Sequence, residues 1–220
     1  MRYIFFIIYL FVVGLHLKDS FYDDKKARNR TKPFLMITLI LYYVFSMHTM
    51  DYLLLFALIA FWLGDLLLIP KGNKWFILGG ISFLIGHIYL VFVYMRRINF
   101  QNINVFVVLM IALLYFYISK RIITSIKKNI SNKMYIGMLV YLICNGLMNI
   151  FAFLQYFSNW HYAELIALIG AILFFMSDCA LFLVRYHSDK NIIYKRHFTV
   201  MFLYTLSILL ITQSIILLTP

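Results

Sequence analysis

Of the eight acidic residues in the chain, Asp65 and Asp178 are the two that fall inside long apolar runs. Asp19, Asp23, Asp24 and Asp189 lie among basic residues, and Asp51 and Glu164 stand at the ends of apolar runs. An ionisable group held in hydrocarbon is expensive, so a carboxyl at such a position is a candidate for chemistry before anything else. Two carboxyls that share a low-dielectric site do not readily ionise together. One then keeps its proton while the other stays anionic, which is the pairing that acid–base catalysis requires. Asp65 precedes Lys71 by six residues and Asp178 precedes Arg185 by seven. At 1.5 Å of helical rise per residue, each acid lies roughly 10 Å inside a basic boundary, so the two are expected at one depth.

Helical spacing predicts what faces them. Ala163, Ala167, Ala171 and Asp178 fall on one stripe, a seam of small residues that lets membrane helices approach closely and turns Asp178 toward protein. Gly137, Tyr141, Asn145 and Asn149 recur every fourth residue as a polar stripe. Gly80, His87 and Tyr94 align at intervals of seven, with Gly79 and Gly86 beside them. Three helices thus offer polar faces to a common interior. The competing reading is packing and interhelical hydrogen bonding for Asn145 and Asn149, and a structural ion pair of the aspartates with Lys32 or Arg185. His87 and Asn145, counted from their helix ends, are expected about 18–20 Å in, deeper than the acids.

The elements that must hold these residues are membrane helices. The hydrophobic fraction is 64% against 13% charged, and the mean hydropathy of +0.89 excludes a soluble globular domain. Runs such as Leu53 to Leu68 are apolar nearly throughout, without the alternation of a membrane β-barrel. The pattern predicts an all-α polytopic bundle, a single integral membrane domain over 1–220, with helices at about 3–17, 33–48, 51–69, 75–95, 103–119, 133–154, 161–185 and 197–218. Pro33 is expected at the start of the second, and Pro70 with Gly72 at the stop of the third. Arg2 before an apolar stretch resembles a signal peptide, but no small-residue cleavage site follows, so the stretch is read as a helix.

Net charge of +12 would suggest nucleic-acid binding in a soluble protein. Here alternate loops explain it: every Lys and Arg except Arg2, Arg96 and Arg97 falls on one side of the predicted topology. Basic loops are retained in the cytoplasm, so both termini are expected to face away from it. Cys144 and Cys179 both sit in apolar runs without metal-site or disulfide spacing.

Four segments, in order, resemble the lysoplasmalogenase family of small membrane hydrolases, which includes the bacterial YhhN-like proteins and animal relatives. They are Lys32-Pro33, Leu63-Gly64-Asp65, Gly79 to Tyr89 (GGISFLIGHIY), and Gly170 to Leu181 (GAILFFMSDCAL). The resemblance implies cleavage of the vinyl ether bond of lysoplasmalogens to a fatty aldehyde and a glycerophospho-base, with Asp65 and Asp178 as the family's two important acids. One would donate a proton to the β-carbon and the other stabilise the oxocarbenium ion or activate water. The implied partners are a lysophospholipid substrate and membrane lipids, with no nucleic acid. No metal, nucleotide or other cofactor is required. Lys32 would bind the phosphate or serve as an interfacial anchor, while His87, Tyr141 and Asn145 would orient the pocket. A bacterial inner membrane is the expected location. A proton-coupled carrier, or an inactive lipid-sensing scaffold, are the alternatives from other classes.

Overall fold

The computed structural model describes residues 1–219, apart from the side chain of Asn102. It contains eight α-helices and no strand among those residues. They are α1 (Arg2–Phe21), α2 (Lys25–Ser46), α3 (Tyr52–Leu67), α4 (Asn73–Met95), α5 (Val105–Ile126), α6 (Asn132–Asn159), α7 (Tyr162–Tyr186) and α8 (His197–Leu218). Side-chain caps start four of them. Asp24 accepts from Lys26 N and Ala27 N, Asp51 from Leu53 N, Asn104 from Phe106 N and Ser131 from Met134 N.

Several helices outrun the apolar stretches that announce them. The largest difference is at α2, which begins at Lys25 rather than at Pro33, so Pro33 lies inside the helix. The cause is local: Asp24 caps the chain and the Lys-Lys-Ala-Arg segment favours helix, whereas hydropathy reports only the stretch that hydrocarbon would cover. In the same way α1 continues through Lys18 and Asp19, α5 through Lys120 and Arg121, and α6 to Asn159, where Trp160 takes a left-handed conformation. Six helices are long and apolar enough to cross a membrane. Of the other two, α3 is a shorter apolar helix of 16 residues and α2 is basic over its first third.

Neighbour contacts close a ring in the order α1, α2, α3, α4, α6, α7, α8 and back to α1, with α5 outside against α6 and α7. The distribution of polarity is that of a protein solvated by lipid. Phe106 and Met110 on α5, and Ile7 and Phe11 on α1, face outward, while Asn145, Asn149 and Gln155 are wholly buried. Glycines set the closest crossings. A β-carbon on Gly64 would stand 3.3 Å from Gly79 O, and one on Gly79 3.2 Å from Gly64 O, so α3 and α4 meet backbone to backbone. Gly170 does the same for α7 against Ser207 O of α8. The chain is thus an integral, multi-pass, all-α membrane bundle.

The basic ends gather at one end of the bundle. There Arg185 donates to Gly72 O at 3.2 Å, Tyr186 donates to Asn73 Oδ1 at 3.4 Å, and Asn129 donates to Tyr186 O at 2.7 Å. At the other end Arg96 holds Asp51 through two 2.7 Å contacts, with Arg97 4.0 Å away.

Candidate functional site

The three predicted polar faces meet at Asp178. Tyr141 Oη and Asn145 Nδ2 each donate to Asp178 Oδ2 at 2.7 Å, and His87 Nε2 stands 3.4 Å from the same oxygen and 3.3 Å from Tyr141 Oη. Asp178 Oδ1 makes no hydrogen bond among the described residues and is not among the buried unpartnered atoms, so it keeps open surface. The carboxyl is therefore asymmetric, with one oxygen gripped and the other free.

The grip has its own support. Asn149 Nδ2 donates to Asn145 Oδ1 at 3.0 Å, and Tyr115 Oη donates to Asn149 Oδ1 at 3.0 Å. With its oxygen occupied, the Asn145 amide can present only its nitrogen to Asp178, so a chain of donors from α5 through α6 fixes the polarity at α7. Tyr115 was not legible as a site residue, since an isolated tyrosine in an apolar run carries no spacing signal. His87 packs edge-on to Phe174 at 4.7 Å between ring centres, and its buried Nδ1 has no partner.

The expectation that His87 and Asn145 lie deeper than the acids is corrected: both stand level with Asp178. Side chains lean toward the N-terminus of their own helix. On α4 and α6 that direction is outward to the basic end, and on α7 it is inward, so the three converge although their α-carbons sit at different heights.

Asp178 Oδ1 has somewhere to point. A cavity of about 410 Å³ lies between the basic-end halves of α4 and α6, with α7 behind it. Asp178 and Tyr141 line its inner end, Asn73, Ser131 and Lys133 its outer end, and Phe76, Ile77, Ile81, Met134 and Phe182 the apolar walls between.

Asp65 lies elsewhere. Its Oδ1 pairs with Lys32 Nζ at 3.3 Å and its Oδ2 accepts from Tyr204 Oη at 2.7 Å, in a setting where the acid is 2% exposed. Tyr204 packs edge-on to Phe83, which lines the cavity, and to Phe174. Asp65 is thus one aromatic layer removed from the cavity wall, and Lys32 is not brought to the cavity. No group of three or more His, Cys, Asp or Glu side chains placed to hold a metal occurs among the described residues.

A family model, that of the YhhN family, matches residues 27–215. The chain belongs to the YhhN family. That family includes lysoplasmalogenases. Neither the curated proteins nor the solved structures provide a match. The matched range takes in every polar residue described around Asp178 and Asp65, and so the YhhN match covers the whole of the candidate site.

Proposed function

We propose that this YhhN protein is a membrane-embedded hydrolase of the vinyl ether bond of lysoplasmalogens, with Asp178 as its proton donor. The observation that supports this reading is the asymmetry of Asp178, gripped at Oδ2 by Tyr141 and Asn145 while Oδ1 opens on a largely apolar cavity. A proton carried on Oδ1 passes to the β-carbon of the vinyl ether, and the π electrons of the double bond form the new C–H bond. Positive charge then rests on the α-carbon and ether oxygen. The negative charge left on the carboxylate falls on an oxygen that already has donors aimed at it, so the barrier is lowered by dipoles that need no reorganisation. Water adds to the oxocarbenium carbon and returns a proton to Asp178. The hemiacetal collapses to a fatty aldehyde and a glycerophospho-base, which restores the starting state.

In this reading His87 holds Tyr141 and Asp178 in register. Asp65 with Lys32 stabilises the wall through Tyr204 and Phe83, and does not touch substrate. All eight helices are read as spans, α3 as a short one. Both termini face away from the cytoplasm in a bacterial inner membrane, because nearly all Lys and Arg gather at the opposite end.

The test is aldehyde release by the purified protein in lipid nanodiscs, given alkenyl, alkyl and acyl lysophospholipids. Aldehyde is expected from the alkenyl lipid alone, and Asp178→Asn is expected to abolish it. An Asp178→Asn variant with full activity overturns the mechanism, and a wild type that releases no aldehyde overturns the function.

A further inference from the structure

We infer that the cavity is a lysophospholipid site entered sideways from the bilayer between α4 and α6, across a sill made by Gly80 and Gly137. The inference rests on the hydrolase reading for what happens to the lipid, but not for its binding. A β-carbon placed on either glycine would meet nothing within 4 Å, although both residues line the cavity. Beside them Ile77 and Ile81 are about half exposed, at 48% and 51%. The wall between cavity and lipid is therefore missing where the two glycines stand, and any larger side chain there would rebuild it.

Charge at the outer end selects the occupant. Lys133 lines the mouth, and the Arg185 guanidinium lies 4.2 Å over the ring of Phe76, another lining residue. Arg185 bonds to Gly72 O and Tyr186 Oη, both neutral, and has no carboxylate in ion-pair range among the described residues. Two uncompensated cations over an apolar slot fit a phosphate carried by a single chain.

Distances agree with that placement. From phosphorus to the β-carbon of a vinyl ether is seven covalent bonds, which span about 8 Å at the roughly 1.2 Å per bond of an extended chain. Asp178 lies about 10 Å along α7 from Arg185. A phosphate at Lys133 and Arg185 thus brings the vinyl ether to Asp178. The lined stretch of α4, from Asn73 to Leu84, is about 16 Å long and Asp178 stands near its inner end, so at most about 6 Å remains beyond the acid. A sixteen-carbon chain, about 18 Å when extended, does not fit there and leaves through the gap over Gly80 and Gly137.

The probe is an alkyl-ether lysophosphatidylcholine carrying a photoreactive diazirine at mid-chain, which binds without being cleaved. Photo-adducts are expected to concentrate on α4 and α6 in the wild type and to fall at least ten-fold in Gly80→Leu and Gly137→Leu. Lys133→Gln is expected to weaken capture several-fold. In turnover, the two leucine variants are expected to raise KM for long-chain alkenyl lipids while sparing an alkenyl substrate with a four-carbon chain. Adducts spread over lipid-facing α1 and α5, or unchanged in both leucine variants, overturn the portal. Adducts on α4 and α6 without aldehyde release leave the portal standing and overturn the hydrolase instead.

Discussion

At the scale of single residues, the two aspartates that look alike in the sequence stand in different surroundings. Asp178 keeps a free oxygen on the cavity, whereas both oxygens of Asp65 are engaged, by Lys32 and Tyr204. A buried pair is costly to break because one charge is left alone, but replacing both members with apolar groups is often neutral. Asp65→Leu and Lys32→Met alone are therefore expected to destabilise the bundle by about 3–5 kcal/mol, read as a lower midpoint of unfolding in detergent. The double variant is expected to regain most of that loss together with aldehyde release. A double variant that is stable but inactive would return Asp65 to the chemistry. Around Asp178, Tyr141→Phe and Asn145→Ala each remove one donor from the oxygen that gains charge. Each is expected to lower kcat by about 10²–10³ with little change in KM.

At the scale of elements, much of the arrangement was legible in advance. All eight helices follow from apolar runs, and the stripes on α4, α6 and α7 that predicted a common interior do meet, at His87, Tyr141, Asn145 and Asp178. What escaped the sequence is whatever depends on how helices cross. The start of α2 at Lys25 was hidden because hydropathy is blind to a capped basic helix outside hydrocarbon. An ion pair of an aspartate with Lys32 was among the sequence's alternatives and forms at Asp65, but which aspartate takes it, and the separation of Asp65 from the cavity, depend on the neighbour order of the ring, which no single helix encodes. The glycines show the same limit, since spacing alone does not distinguish those that seat a neighbouring helix from those that face open space. Gly170→Val would drive a side chain against the backbone of α8, where Ser207 O lies 2.9 Å from the added β-carbon. It is expected to cost about 1–3 kcal/mol. Gly14→Leu, on an exposed turn of α1 with nothing within 4 Å, is expected to leave the unfolding midpoint unchanged.

At the scale of the whole molecule, the charge asymmetry and the cavity make one argument. The cavity opens at the end of the bundle where Lys133, Arg185 and the long basic segments gather, and the opposite end carries Arg2, Arg96 and Arg97. If insertion keeps the basic end in the cytoplasm, as the proposed orientation has it, the leaflet whose lysolipids would reach Asp178 is the inner one. In the proposed reading the same end would attract anionic headgroups, which would favour phosphate arrival at the mouth and be weakened by salt. The orientation is checked by placing single cysteines in a variant that lacks Cys144 and Cys179. A cysteine at Gln101, exposed between α4 and α5, is expected to react with a membrane-impermeant maleimide on intact cells. One at Lys190, exposed between α7 and α8, is expected to react only after permeabilisation. The reverse pattern would move the cavity mouth to the outer leaflet and make lysolipids arriving from outside the cell its substrates.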